Sequence, residues 1–205
     1  MQRAFDVAVS LAALFFLSPF FALIAVAVKL TSSGPIFYRG PRVGRNGAEF
    51  SILKFRTMRS GAAGPSITRA ADPRVTLVGR FLRRWKLDEL PQFVNVLRGE
   101  MSLVGPRPEA PEYVLLYSAE EQNVLRARPG ITSPASLRYR HEESLLTGDA
   151  WRDEYVNRIM RDKLRIDLEW LDRRTFASDL RLLGRTAASL FSSRRDTDSA
   201  AAARR

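Results

Sequence analysis

Residues 7 to 28 form a run of 22 without a charged side chain, and Ser18-Pro19 interrupts it near the middle. As a straight helix the run would measure about 33 Å at roughly 1.5 Å per residue, enough for a hydrocarbon core of about 30 Å. Proline has no N–H and its ring collides with the preceding turn, so a bend is expected near Ser18. The chain up to about Leu30 therefore reads as a membrane anchor. The residues alone fit two forms, a kinked single span or two half-helices that enter the bilayer and return on the same side. Backbone groups freed at the bend need partners that lipid cannot supply, and the Ser18 hydroxyl is one candidate. Arg3 precedes the run, and Lys29, Arg39, Arg42 and Arg45 follow it. Basic flanks favour the cytoplasmic side but do not separate the two forms. The length of the run and the lack of a small-residue cleavage site argue against a cleaved signal peptide.

A chain of 205 residues suits such an anchor plus one modest domain. The net charge is +11, and residues 29–107 hold most of the excess, with 15 Lys/Arg against 5 Asp/Glu. That segment would attract anionic headgroups and phosphate-bearing substrates. The charge alone also suits nucleic acid, but no nucleic-acid module is recognisable. Cysteine is absent, which excludes disulfides and thiolate chemistry. The single histidine, His141, excludes a His-rich metal site and reads as structural.

After a turn cluster at Thr31-Ser32-Ser33-Gly34-Pro35, two short extended segments at 36–38 and 50–53 flank Gly44-Arg45-Asn46-Gly47 and predict a hairpin. Residues 60–72, rich in Gly, Ala and Pro, read as a mobile loop. Leu77, Phe81, Leu82 and Trp85 recur at helical spacing. Pro91 suits the first turn of a further helix ending near Gly99. Residues 111–127 and 151–191 carry helical patterns, 132–141 is ambiguous, and 192–205 reads as a disordered tail. No internal repeat is present.

The carboxylates Asp88 and Glu89 sit just before Pro91, where a helix dipole would hold them ionised. Arg83, Arg84 and Lys86 are close by. One carboxylate free to attack and one free to hold a divalent cation suit phosphoryl transfer; helix capping is the simpler reading of the pair alone. Lys54 and Arg56 lie two apart in an extended segment, which places both on one face. Gly105-Pro106-Arg107-Pro108 is a stiff loop projecting a guanidinium fork suited to phosphate. Arg128-Pro129-Gly130-Ile131-Thr132 is a similar rigid turn. Taken singly, each fits a structural role as well.

The Ser18-Pro19 break, Lys54-Phe55-Arg56-Thr57-Met58, Asp88-Glu89-Leu90-Pro91-Gln92, Gly105-Pro106-Arg107-Pro108 and Arg128-Pro129-Gly130-Ile131-Thr132 occur together and in order. In this the chain closely resembles the bacterial sugar transferases, the small monotopic polyprenyl-phosphate phosphoglycosyl transferases. The resemblance covers roughly residues 1–190 and leaves no room for the extra N-terminal membrane domain of larger relatives.

The resemblance implies an α+β, mostly helical fold. It consists of a re-entrant helix–break–helix over 1–30, a catalytic domain over 31–191 with a small β-hairpin and amphipathic interfacial helices, and a tail over 192–205. It implies transfer of a sugar-1-phosphate from a UDP-sugar to undecaprenyl phosphate, with release of UMP, as the first step of surface-glycan assembly. Asp88 would be the nucleophile of a ping-pong reaction through an aspartyl phosphosugar. Glu89 would bind Mg²⁺. Arg107 would hold phosphate, with Lys54, Arg56, Gln92 and Arg128 as further substrate or phosphate contacts. The expected place is the cytoplasmic face of the bacterial inner membrane, among its lipids, with a homodimer plausible. Rival readings are a non-catalytic nucleotide-sugar-binding protein of the same fold, an anchored nucleic-acid-binding protein, and a glycosyl transferase that releases UDP. The sequence does not identify the sugar.

Overall fold

The computed structural model describes residues 2–61, 64–69 and 72–191. Helix α1 (Gln2–Phe16) and helix α2 (Ser18–Thr31) meet at an angle of 63°. The cause is local. Pro19 has no N–H to donate to the Phe15 carbonyl one turn earlier, and the Ser18 hydroxyl donates to that carbonyl instead, at 2.8 Å. The carbonyl stays satisfied while the axis turns. Among the described residues no single helix is long and apolar enough to cross a membrane; the bent pair together has the length and composition.

The two arms grip different parts of the remaining chain. Strand β1 (Phe37–Val43) and strand β2 (Glu49–Phe55) form the expected antiparallel hairpin, paired from Phe37↔Phe55 to Val43↔Glu49. Asn46 and Gly47 turn it with positive φ of 57° and 80°. Helix α3 (Leu77–Arg84) is capped by Thr76, whose side chain accepts from the Gly79 amide at 2.9 Å. Ile24 and Val28 of α2 pack with Phe55 and Leu82 as one core. Helix α4 (Gln92–Arg98) starts after Pro91 and ends on Gly99 at φ 84°. Strand β3 (Ser102–Val104) follows. Phe5 and Val9 of α1 pack on a second core of Ile52, Val96, Met101, Leu103 and Val104. Arg3 caps the end of α4, donating to the Val96 and Leu97 carbonyls at 2.6 and 3.0 Å.

The expected helix over 111–127 is broken. Helix α5 covers only Pro111–Val114, and a separate 3₁₀ helix covers Glu121–Arg126. Ser118 and Glu121 cap each other's amides, at 2.7 and 3.2 Å, so the second segment starts afresh. Strand β4 (Gly130–Thr132) pairs in parallel with β3, an element the sequence did not suggest. Gly105 and Gly130 make this approach possible, since a Cβ on Gly105 would stand 2.3 Å from the Arg128 carbonyl oxygen. Helix α6 (Pro134–Arg138) follows, capped by Ser133. Helix α7 (Trp151–Glu154) runs through a π-helical turn at 155–159 into helix α8 (Met160–Asp172). After a break at 173–175 comes helix α9 (Phe176–Phe191). A third core of Tyr113, Leu146, Tyr155, Ile159 and Met160 joins this half. The architecture is thus mostly helical with a small antiparallel hairpin. The expected tail, residues 192–205, and positions 62, 63, 70 and 71 of the expected loop lie outside the described residues.

Candidate active site

Asp88 and Glu89 lie in a 3₁₀ turn (Leu87–Glu89) that leads into α4, and both are buried. Lys86, just before the turn, adopts φ 55° and ψ 21°, a left-handed conformation uncommon outside glycine. It redirects the chain from α3 so that the carboxylates face inward. Asn95, fully buried on α4, fixes that helix to β2. Its amide oxygen accepts from the Leu53 amide at 2.9 Å and its nitrogen donates to the Ser51 carbonyl at 2.8 Å. This registers Lys54 beside the turn.

Lys54 Nζ donates to Glu89 Oε1 at 2.8 Å. Arg107 forks onto the same carboxylate, Nη2 to Oε1 at 2.5 Å and Nη1 to Oε2 at 3.2 Å. Burial alone would raise the Glu89 carboxyl, but the Arg107 and Lys54 cations outweigh it and hold it well below the usual range. Asp88 moves the other way. Burial and then the Glu89 charge push it up, against weaker pulls from Lys54, Arg83 and Lys86. Its Oδ1 is buried with no hydrogen-bond partner. Burial lowers Lys54 despite its pairing with Glu89, and the Glu89 charge raises Arg107.

These groups open into a cleft of about 1640 Å³. Arg83 and Lys86 line it beside the acidic pair, Phe93 and Leu183 supply apolar wall, and Glu109, Glu142, Tyr155 and Lys163 line it as well. The arrangement is chemically specific: one carboxylate engaged by two cations, and its neighbour buried, with an Oδ1 that has no hydrogen-bond partner, in a cation-lined cleft. Such a space suits a diphosphate, and the unpaired carboxylate suits attack on phosphorus.

Most of the chain matches one family. The bacterial sugar transferase model covers residues 1–193. The chain belongs to the bacterial sugar transferases. It is 41% identical over 191 residues to an undecaprenyl-phosphate glucose phosphotransferase of Komagataeibacter xylinus, covering 89% of this chain but 34% of the relative. It is 42% identical over 196 residues to a UDP-glucose:undecaprenyl-phosphate glucose-1-phosphate transferase of Caulobacter vibrioides, covering 92% and 69%. With an exopolysaccharide production protein ExoY of Sinorhizobium fredii it shares 41% over 172 residues, 76% of each. This sugar transferase therefore spans about a third of the first relative and some seven-tenths of the second.

Of the sequence candidates, Lys54, Asp88, Glu89 and Arg107 come together in the sugar transferase. Gln92 is fully buried beneath them on the first turn of α4, with neither amide atom hydrogen-bonded. Arg56 lines the cleft as well, but its hydrogen bonds run elsewhere. Its guanidinium donates to the Ser33 and Ser32 carbonyls at 2.6 and 2.7 Å and to the Ser60 hydroxyl at 2.9 Å, fastening the end of α2. Arg128 is not among the residues lining the cleft; its carbonyl abuts Gly105. Ser18 and Pro19 make the bend.

Two groups of residues escaped the sequence reading. Asp6, at the head of the uncharged run, is buried and accepts from the Ser102 hydroxyl at 2.7 Å and the Leu103 amide at 3.4 Å. An acid at that position was itself a signal. Glu109, Glu142, Tyr155 and Lys163 come from distant segments and carried none. Among the described residues no three His, Cys, Asp or Glu side chains gather to hold a metal ion. Mg²⁺ needs fewer when a substrate diphosphate supplies oxygens. The ionised Glu89 beside the unpaired Asp88 oxygen fits that requirement.

Proposed function

We propose that this sugar transferase moves a sugar-1-phosphate from a UDP-sugar to undecaprenyl phosphate in two displacements, releasing UMP. The observation that carries the reading is the buried, unpaired Asp88 oxygen beside a carboxylate locked by Lys54 and Arg107. An Asp88 oxygen attacks the sugar-bearing phosphorus. The bond from that phosphorus to the bridging oxygen breaks, and the bridging oxygen leaves as part of UMP. An oxygen of undecaprenyl phosphate then attacks the same phosphorus, and the bond to Asp88 breaks, restoring the carboxylate. Arg107, Lys54, Arg83 and Lys86 are placed to meet the diphosphate charge. Mg²⁺, held by Glu89 with donor phosphate oxygens, would neutralise the charge on the departing phosphate. The activities for which the Komagataeibacter and Caulobacter relatives are named support this reaction class.

The bent helix pair supports a re-entrant anchor on the cytoplasmic face of the inner membrane. Phe15, Phe16, Leu23 and Leu30 are 69–81% exposed around it, and Leu77 and Phe81 expose apolar surface on the neighbouring α3. A headgroup-level site beside such a surface lets a water-soluble donor and a lipid-borne acceptor arrive in turn.

The test is nucleotide release. Purified protein in nanodiscs with undecaprenyl phosphate and Mg²⁺ is offered a panel of UDP-sugars. UMP is expected, and Asp88→Asn is expected to stop it. Incubation with donor alone should add the mass of one phosphosugar to the wild-type chain and none to the variant. UDP in place of UMP would mean plain glycosyl transfer, and donor binding without release would mean a non-catalytic protein.

A further inference from the structure

The cleft carries both signs of charge. Lys54, Arg83, Lys86 and Arg107 line it with the acidic pair, and Glu109 and Glu142 line it too. A diphosphate is drawn to the cations. Whatever part of the donor contacts Glu109 or Glu142 must offer hydrogens and carry no negative charge. The hydroxyls of a sugar ring fit that description.

Glu142 is built for such a contact. Lys163 Nζ donates to its Oε2 at 2.7 Å, and the same nitrogen stands 5.3 Å from the centre of the Tyr155 ring. The Tyr155 hydroxyl donates to Glu109, two residues beyond Arg107. Tyr155 itself is locked edge-on against Tyr113, with centroids 5.3 Å apart. The frame therefore ties Glu142 to the loop that carries the phosphate fork. Lys163 overcomes the burial of Glu142 and holds it ionised, and the Arg107 charge acts on it too. An ionised carboxylate is acceptor-only and takes two neighbouring hydroxyls at once.

We infer that Glu142, steadied by Lys163 over Tyr155, binds vicinal hydroxyls of the nucleotide-sugar donor and is a specificity-determining residue of this site. The inference rests on the UDP-sugar reading above. Ribose and the transferred hexose both carry such hydroxyls, and donor analogues separate them.

The experiment compares wild type, Glu142→Gln and Glu142→Asp in nanodiscs, after thermal melting shows that each is folded. Should Glu142→Gln fail to fold, Glu142→Asp, which keeps the ion pair, carries the same test. Glu142→Gln should raise the donor KM about tenfold to a hundredfold, the range set by losing a charged hydrogen bond. Glu142→Asp should raise it less, and the KM for undecaprenyl phosphate should stay fixed in both. Deoxy donors then close a cycle: removing the contacted hydroxyl should penalise wild type but not the variant. A 2′-deoxyuridine donor behaving so assigns the ribose, and a deoxyhexose donor behaving so assigns the hexose. An unmoved donor KM, a shifted acceptor KM, or equal penalties in wild type and variant would overturn the inference. UMP release by wild type in the same assay keeps that failure distinct from failure of the proposed reaction.

Discussion

Arg107 and Glu89 form a two-bond fork, at 2.5 and 3.2 Å, across 18 residues of chain. Lys54 adds a third bond to the same carboxylate. One anion therefore compensates two cations in a site where burial makes any unpaired charge costly.

Replacing Glu89 by Gln should destabilise the protein by about 3 kcal/mol or more, because two cations are left facing a neutral amide. Asp88→Asn, by contrast, removes a group whose Oδ1 has no partner, and its melting temperature should stay near that of wild type. Thermal unfolding of both variants in the same detergent checks the contrast. Equal destabilisation would show that Glu89 is not the anion holding the cluster together.

The acid limb of UMP release should lie above the ordinary aspartate range. Asp88 is raised by burial and by Glu89. A protonated carboxyl cannot attack, so activity is present above the folded-state value and is lost as pH falls through it. Glu89 is depressed by Arg107 and Lys54 against its own burial. The stability it contributes is present above its unfolded value and is lost only as pH falls through that lower folded value. Activity should therefore disappear before the fold does. Single-turnover UMP release and circular dichroism, read across the same pH series, should give two separated transitions.

Ser18 and Pro19 should be thermodynamically coupled. In wild type, Ser18→Ala strands the Phe15 carbonyl and should cost about 1 kcal/mol. In Pro19→Ala the residue-19 amide can take that carbonyl, and the serine should become dispensable. A double-mutant cycle on unfolding free energy measures this, and simple additivity would mean that the hydroxyl does not substitute for the missing amide. Cysteine-accessibility labelling of the same variants reports whether both ends of the anchor stay on one side.

Arg56→Met should cost about 2 kcal/mol, since the Ser32 and Ser33 carbonyls at the end of α2 lose a charged donor. The variant should release UMP more slowly at unchanged donor KM, because the hydrogen bonds of Arg56 run to the end of α2 and not to the acidic pair. A raised donor KM would return Arg56 to the substrate.

The elements the sequence announced are those with local causes. Ser18-Pro19 bends the N-terminal helix pair, Asn46-Gly47 turns the hairpin, Thr76 starts α3, and Pro91 and Gly99 bracket α4. Asp88, Glu89, Lys54 and Arg107 stood out because charged residues beside stiff turns are conspicuous. The break at Ser118 was also written locally, as Ser-x-x-Glu, but lay hidden inside a longer helical pattern. The partners of Arg56 were not written locally, since its guanidinium bonds to carbonyls more than twenty residues earlier, at the end of α2. Asn95, Glu142 and Lys163 depend on packing between segments far apart in the chain, and no spacing rule brings such pairs together.

The attachments of the bent helices have a mechanical consequence. Asp6 on α1 holds Ser102 and Leu103, five and four residues before Arg107. Arg56 holds the end of α2, two residues after Lys54. The two cations that meet on Glu89 are thus each tethered to a different arm of the bent helix pair. The Ser18-Pro19 elbow is the joint between those arms, so a change in the angle there would bear on both sides of the Glu89 clamp at once.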